Sequence, residues 1–329
     1  MKHMILQLHI TGKCNLRCKH CYIAEHGGEL SCEDVSLVFQ QFSQLLQSMR
    51  QEFGEPVFGH VHITGGEPFL HPQIEQILWL MLQYRNIFHY AIMSNGTMLK
   101  YLHLVKRLYL KFLQISIDGD EAAHDAIRGK GNLAQVCNGL DILHSHGIRT
   151  RVSFTAHLDN YQLLPNVAKI CMEHHVSSLW SDRYIPVPGS ELRPMDATHM
   201  PEYVKLLRTL AHNLEYKAAG LTIQNHRALH FLGGSEVPYS CTAGENLIVV
   251  DEYGNIFPCR RLPIICGNIQ ESNLDAVYHE SAVFKDLRRH EAVGKCVACP
   301  HREECRGGLR CMTYACCGEY LSPDPCCYQ

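Results

Sequence analysis

The sequence has no long hydrophobic run, no surplus of basic charge and no low-complexity segment. Its longest apolar stretches, such as residues 77–82, fall far short of the ~20 residues a helix needs to cross a bilayer. Lys and Arg number 30 against 33 Asp and Glu, for a net charge of -3, so the composition lacks the basic excess that nucleic-acid binding leaves. The first ten residues are too short and too polar for a signal peptide. These absences set the expectation of a cytoplasmic protein with neither a membrane nor a nucleic-acid partner.

Against that background the chain holds 17 cysteines in 329 residues. A reducing cytosol disfavours disulfides and makes metal binding the better default. Six cysteines lie before residue 240 and eleven follow it. Together with the glycine and proline content after about residue 235, this skew places a domain boundary near 230. We expect a domain over residues 1–230 and a smaller cysteine-rich one over 231–329.

Within the first part, short β-rich runs near 4–10, 58–63, 88–93, 112–117, 148–155 and 179–186 alternate with segments of helical period. Ser31 followed by Cys32, Glu33 and Asp34 starts a helix over 32–49, with acids in its first turn. Six βα units predict an α/β fold, a partial (β/α)6 barrel of the TIM type, with chemistry at the C-terminal strand ends. The rhythm stops after a helical stretch around 199–219. The notable motifs all fall at strand ends, and four consecutive ends are expected to share one mouth.

After the first strand comes Cys14-Asn15-Leu16-Arg17-Cys18-Lys19-His20-Cys21-Tyr22. Three thiolates on one short loop suit a cubane cluster that normally takes four, leaving one iron open for a ligand. A zinc site closed by His20 is disfavoured, because His20 is too near Cys18 and Cys21 to complete a tetrahedron comfortably. This segment resembles the CxxxCxxC signature of radical S-adenosylmethionine (SAM) enzymes. The resemblance implies a 4Fe–4S cluster on Cys14, Cys18 and Cys21 whose open iron binds SAM, with Tyr22 as the aromatic residue that follows.

Thr64-Gly65-Gly66-Glu67-Pro68 is similar to that family's GGEP motif, which implies a cradle for the methionine ammonium. Ser94-Asn95-Gly96-Thr97 and Ser116-Ile117-Asp118-Gly119 resemble its third and fourth strand ends, and Arg128 the arginine that meets the SAM carboxylate. The plainer readings are turns at Asn95-Gly96 and Asp118-Gly119 and a solvated Arg128.

The last ninety residues carry Cys241-x12-Gly254-x4-Cys259, Cys296-x2-Cys299-x5-Cys305 and Asp324-Pro325-Cys326-Cys327, with a hairpin turn at 251–255. This block resembles the SPASM domain of peptide-modifying radical SAM enzymes. The resemblance implies one auxiliary cluster on Cys296, Cys299, Cys305 and Cys327, with Cys326 as the alternative fourth ligand. A second would use Cys241 and Cys259, but the cysteine usual after Cys305 is here Leu309. Cys311 is the natural substitute, and Cys266, Cys316 or Cys317 could supply the remainder. A pair of zinc sites is the competing reading of the spacing.

The other candidates read as ordinary: His60 and His62 alternate along a strand, His174 and His175 end a helix, Cys137 and Cys171 are buried thiols, and Cys32 tolerates its helix start. Arg260 and Arg261 could face a cluster or the surface. Beyond the SAM-cleaving cluster no catalytic residue stands out. The resemblance implies hydrogen abstraction from a peptide or protein substrate, foremost in ribosomal-peptide maturation by crosslinking, thioether formation or epimerisation. It also implies an electron donor such as flavodoxin or ferredoxin. Arg260 stands where sulfatase maturases have an aspartate, which ranks that activity lower; a small-molecule or tetrapyrrole substrate and a zinc-binding scaffold are the further alternatives. Only thirteen residues precede Cys14, so leader recognition would fall to a separate protein or to the barrel surface.

Overall fold

The computed structural model describes residues 2–23, 26–234 and 239–329. Its strands are β1 (Lys2–Thr11), β2 (Val57–Gly65), β3 (Phe88–Ser94), β4 (Phe112–Ser116), β5 (Thr150–Ala156), β6 (Ser178–Arg183), β7 (Thr222–Gln224), β8 (Leu247–Val250), β9 (Asn255–Phe257) and β10 (Gly267–Asn268). Its α-helices are α1 (Cys32–Phe53), α2 (Ile74–Gln83), α3 (Leu102–Arg107), α4 (Glu121–Arg128), α5 (Asn132–Ser145), α6 (Leu164–Glu173), α7 (Met200–His212), α8 (Leu214–Ala218), α9 (Leu274–Glu280), α10 (Ala282–Arg289), α11 (Arg302–Cys305) and α12 (Arg310–Cys317). None is long and apolar enough to cross a membrane among the described residues.

Two compact units interleave along the chain. Unit 1 is Met1–Asn15, Ile23–Leu113 and Thr242–Arg289; unit 2 is Leu16–Tyr22, Gln114–Cys241 and His290–Gln329. These are divisions of packing, whereas the expected boundary near 230 is a division of sequence drawn on cysteine content.

In unit 1 the strand order is β10-β9-β8-β1-β2-β3. β1 pairs in parallel with β2 and with β8, and β2 with β3. β8 and β9 form the antiparallel hairpin expected around residues 249–257. Alternation in β1 buries Met4, Leu6, Leu8 and Ile10 completely. α1 starts as expected: Ser31 and Asp34 form a reciprocal capping box, and Gly54 in the left-handed region ends the helix. Its buried stripe, Val35, Val38, Phe39, Phe42, Leu45, Leu46 and Met49, follows the helical period. At Gly59 of β2 a Cβ would lie 2.5 Å from Leu46, so glycine lets the helix seat directly on the strand. The buried Gln41 amide donates to Ile269 O, and its carbonyl accepts from Leu274 N, docking the segment before α9 on α1.

In unit 2, β5, β6 and β7 pair in parallel. β7 continues the rhythm one strand beyond the point where the sequence pattern loses it. Cys171 on α6 is fully buried; Cys137 on α5 is only half-buried, against the expectation of a buried thiol.

Candidate functional site

In unit 1 the ends of β1 and β2 are tied by main-chain contacts that only glycine permits. Gly65 has φ +127°, and a Cβ there would stand 2.2 Å from Thr11 O; one on Gly66 would stand 2.2 Å from Lys13 O. Gly66 N and Glu67 N donate to those two carbonyls at 2.7 and 2.8 Å. The glycine pair therefore clamps the end of β2 to the segment that leads into Cys14.

Glu67 is fully buried, and both its oxygens are engaged within the protein. They accept from Ser94 Oγ at 3.0 Å each, from Phe69 N at 3.1 Å and from Asn95 N at 2.7 Å. Burial raises its carboxyl against these hydrogen bonds, to about 7. Pro68 follows it at the start of the short turn Pro68–Leu70. Asn95 Nδ2 donates to Asn15 Oδ1 at 2.9 Å and lies 3.8 Å from Cys14 Sγ, and Asn15 Nδ2 donates to Thr97 Oγ1 at 2.9 Å. Asn15 is a positioning residue that the motif reading passed over, although it sits inside the triplet.

Cys18 and Cys21 belong to unit 2. Cys21 N donates to Cys18 O at 3.0 Å, a turn that sets the two thiols close along the chain, and Tyr22 follows half-buried. Lys19 N donates to Ile127 O, fastening this turn to the end of α4. There Arg128 gives Nε to Asp118 Oδ2 at 2.6 Å, while Nη1 lies 3.7 Å from Cys18 Sγ and Nη2 3.3 Å from His20 Nε2. Asp118 is wholly buried and also accepts from Thr155 N. Burial would raise its carboxyl, but Arg128, His20 and His124 together hold it well below the usual range. Ser116 and Ser153 hydroxyls meet at 3.2 Å between β4 and β5. The structure thus makes Asp118 the counterion of an arginine directed at the Cys18 thiol.

Also in unit 2, Cys296, Cys299, Cys305 and Cys327 line one small, open pocket of about 20 Å³, together with Leu229 and Phe231. Thiols are the donors that iron–sulfur clusters take, although among the described residues no group of three or more His, Cys, Asp or Glu is gathered closely enough to hold a single metal ion. Burial pushes the Cys305 thiol up to about 11, opposed by hydrogen bonds from Gly307 N and Gly308 N. Cys326 points elsewhere: it is 1% exposed and its thiol donates to Met195 O at 3.0 Å. Leu309 is buried, Cys311 is buried on α12, and Cys316 and Cys317 are exposed. Cys241 belongs to unit 2. In unit 1, Cys259 O accepts from Leu262 N, and the Cys266 thiol donates to Ile264 O. None of the seventeen cysteines forms a disulfide.

Residues 8–171 match the Radical SAM superfamily, and residues 241–300 match SPASM, an iron–sulfur cluster-binding domain. The chain is 25% identical to the AdoMet-dependent heme synthase of Nitratidesulfovibrio vulgaris, across 97% of this chain and 90% of that one. It is 26% identical to the antilisterial bacteriocin subtilosin biosynthesis protein AlbA of Bacillus subtilis, across 84% of this chain and 59% of that one. Among solved structures it resembles Streptococcus suis SuiB bound to S-adenosylmethionine, with a TM-score of 0.78 at 16% identity, covering 100% of this chain and 78% of SuiB. SuiB has also been solved bound to the precursor peptide SuiA. The likeness in structure establishes the α/β partial-barrel fold.

Proposed function

We propose that this chain, which belongs to the radical SAM superfamily and carries a C-terminal SPASM iron–sulfur domain, matures a ribosomally synthesised peptide. It is an enzyme that uses a 4Fe–4S cluster, S-adenosylmethionine and auxiliary iron–sulfur ligation. The observation that supports the peptide reading is the pocket lined by four thiols, the donor type that the SPASM resemblance implies for an auxiliary cluster. The likeness to AlbA and to SuiB supports it. Tetrapyrrole modification is the second reading, favoured by the alignment with the heme synthase over nearly the full length of both chains.

In our reading Cys14, Cys18 and Cys21 hold the SAM-cleaving cluster, which with bound SAM supplies a 5′-deoxyadenosyl radical for hydrogen abstraction from the substrate. Asn95 and Asn15 hold the Cys14 loop in place. Arg128 sets positive charge beside Cys18, and Asp118 fixes its orientation. Glu67 acts through Ser94 and Asn95, by orienting the end of β3. Gly65, Gly66 and Pro68 would shape the loop that receives SAM, with Ser116 and Tyr22 as further binding residues. Cys296, Cys299, Cys305 and Cys327 hold one auxiliary cluster, and Cys241, Cys259 and Cys311 contribute to a second. We retain 1–230 and 231–329 as the functional division of the chain. The electron comes from a flavodoxin- or ferredoxin-type donor, and a separate leader-recognition protein is a further partner where the substrate bears a leader.

The test is anaerobic incubation with SAM, dithionite and short peptides encoded beside the gene. Deoxyadenosine formation with a mass change in a peptide is the expected result. Turnover of a tetrapyrrole alone would select the second reading. No deoxyadenosine from wild type and from Cys18→Ala alike would refute both.

A further inference from the structure

Arg183, the last residue of β6, forms a forked ion pair with Asp324. Nη1 donates to Oδ1 and Nη2 to Oδ2, each at 2.8 Å, and each residue is only 2% exposed. Such a pair is weak evidence for stability, because desolvation offsets much of the Coulombic gain and apolar residues of similar volume often serve as well. The partners of Asp324 point to a different role.

The Asp324 carboxylate also accepts from Leu309 N and Cys326 N, both at 2.9 Å. Its own main chain donates to Gly307 O and accepts from Cys327 N, both at 3.0 Å. The loop that follows Cys305 and the loop that presents Cys327 therefore converge on this one residue. A Cβ on Gly308, at φ +80°, would lie 2.3 Å from Asp324 Cβ, so the approach requires glycine there. Arg310 spans the same region, its guanidinium donating to Arg306 O and Leu321 O. Asp324 itself lines the cavity beside the four thiols.

We propose that Arg183 is a positioning residue for the auxiliary cluster: through Asp324 it sets the Cys305 and Cys327 loops and cancels a carboxylate charge at the cavity wall. The proposal rests on the assignment of Cys296, Cys299, Cys305 and Cys327 as ligands. Groups that orient the ligands of a metal centre shape both its occupancy and its reduction potential. An unpaired carboxylate at the wall disfavours the more negative, reduced cluster, and an unpaired guanidinium favours it.

The experiment uses the reconstituted full chain carrying Cys18→Ala, so that the SAM-cleaving cluster is silent, with an EPR-monitored redox titration of the signal that Cys299→Ala removes. Arg183→Met is expected to lower the potential of that signal and to reduce its occupancy. Asp324→Asn keeps the shape of the side chain and is expected to raise the potential, which supplies a reading even where Arg183→Met fails to fold. The Arg183→Met, Asp324→Asn double variant should return the potential toward that of the parent. Unchanged potentials, or shifts of the same sign in both single variants, overturn the proposal and leave the ligand assignment standing. A parent signal that survives Cys299→Ala overturns the assignment and the proposal together.

Discussion

Glu67 offers the sharpest quantitative test of the site in unit 1. Its carboxylate is enclosed, and the three groups that donate to it stabilise the charged form less than burial destabilises it, so its pKa rises from 4.5 to about 7. Folding therefore favours the protonated acid: this contribution to stability is complete below pH 4.5 and is lost as the pH rises through 7. A rise of 2.5 units at about 1.36 kcal/mol per unit corresponds to about 3 kcal/mol. Other groups titrate in the same window, so the measurement is a difference. Urea unfolding of wild type and Glu67→Gln, both as apoprotein in anaerobic reducing buffer, is followed from pH 4.5 to 8. Glutamine carries no titrating proton, so the gap between the two should move by about 3 kcal/mol in favour of the variant as the pH rises. A gap constant to within about 1 kcal/mol would refute the argument that burial outweighs the hydrogen bonds.

Other outcomes follow from the same geometry. Arg128→Met leaves the buried Asp118 without its closest cation and is expected to cost about 3–5 kcal/mol, read from chemical unfolding; Arg128→Lys, which lacks the fork, should recover only part. Cys327→Ala should remove the iron and sulfide of one cluster while Cys326→Ala retains them, since Cys326 is turned to Met195 O; equal losses would defeat the assignment. Reconstituted wild type should carry about eight to twelve irons with matching sulfide, for two or three clusters. Zinc without sulfide would favour the scaffold reading instead.

Where local physics decides an element, the sequence was sufficient. The alternation of Met4, Leu6, Leu8 and Ile10 marks β1, and the Ser31–Asp34 box marks the start of α1. β7 escaped notice because Thr222-Ile223-Gln224 is too short to show a period. The parallel pairing of β8 with β1 joins residues more than two hundred positions apart, and no local signal encodes it. The acids were legible as strand-end residues but not in their orientation. An acid after a strand reads the same whether it faces a ligand or, like Glu67 and Asp118, a neighbouring strand end and an arginine. Arg183 carried no signal at all, being one charged residue at the end of an otherwise ordinary strand.

The pairing of β1 with β8 also constrains how the chain is made. β1 leaves the ribosome more than two hundred residues ahead of the strand that covers its second edge, which begins at Leu247. At about 5–20 residues per second, the wait for that partner is roughly ten to fifty seconds. Throughout it, one row of β1 amides and carbonyls presents the open template on which foreign strands add. Chains halted before Leu247 should therefore be prone to aggregate and to engage chaperones, and synthesis rate should govern soluble yield more than the stability of the finished protein does.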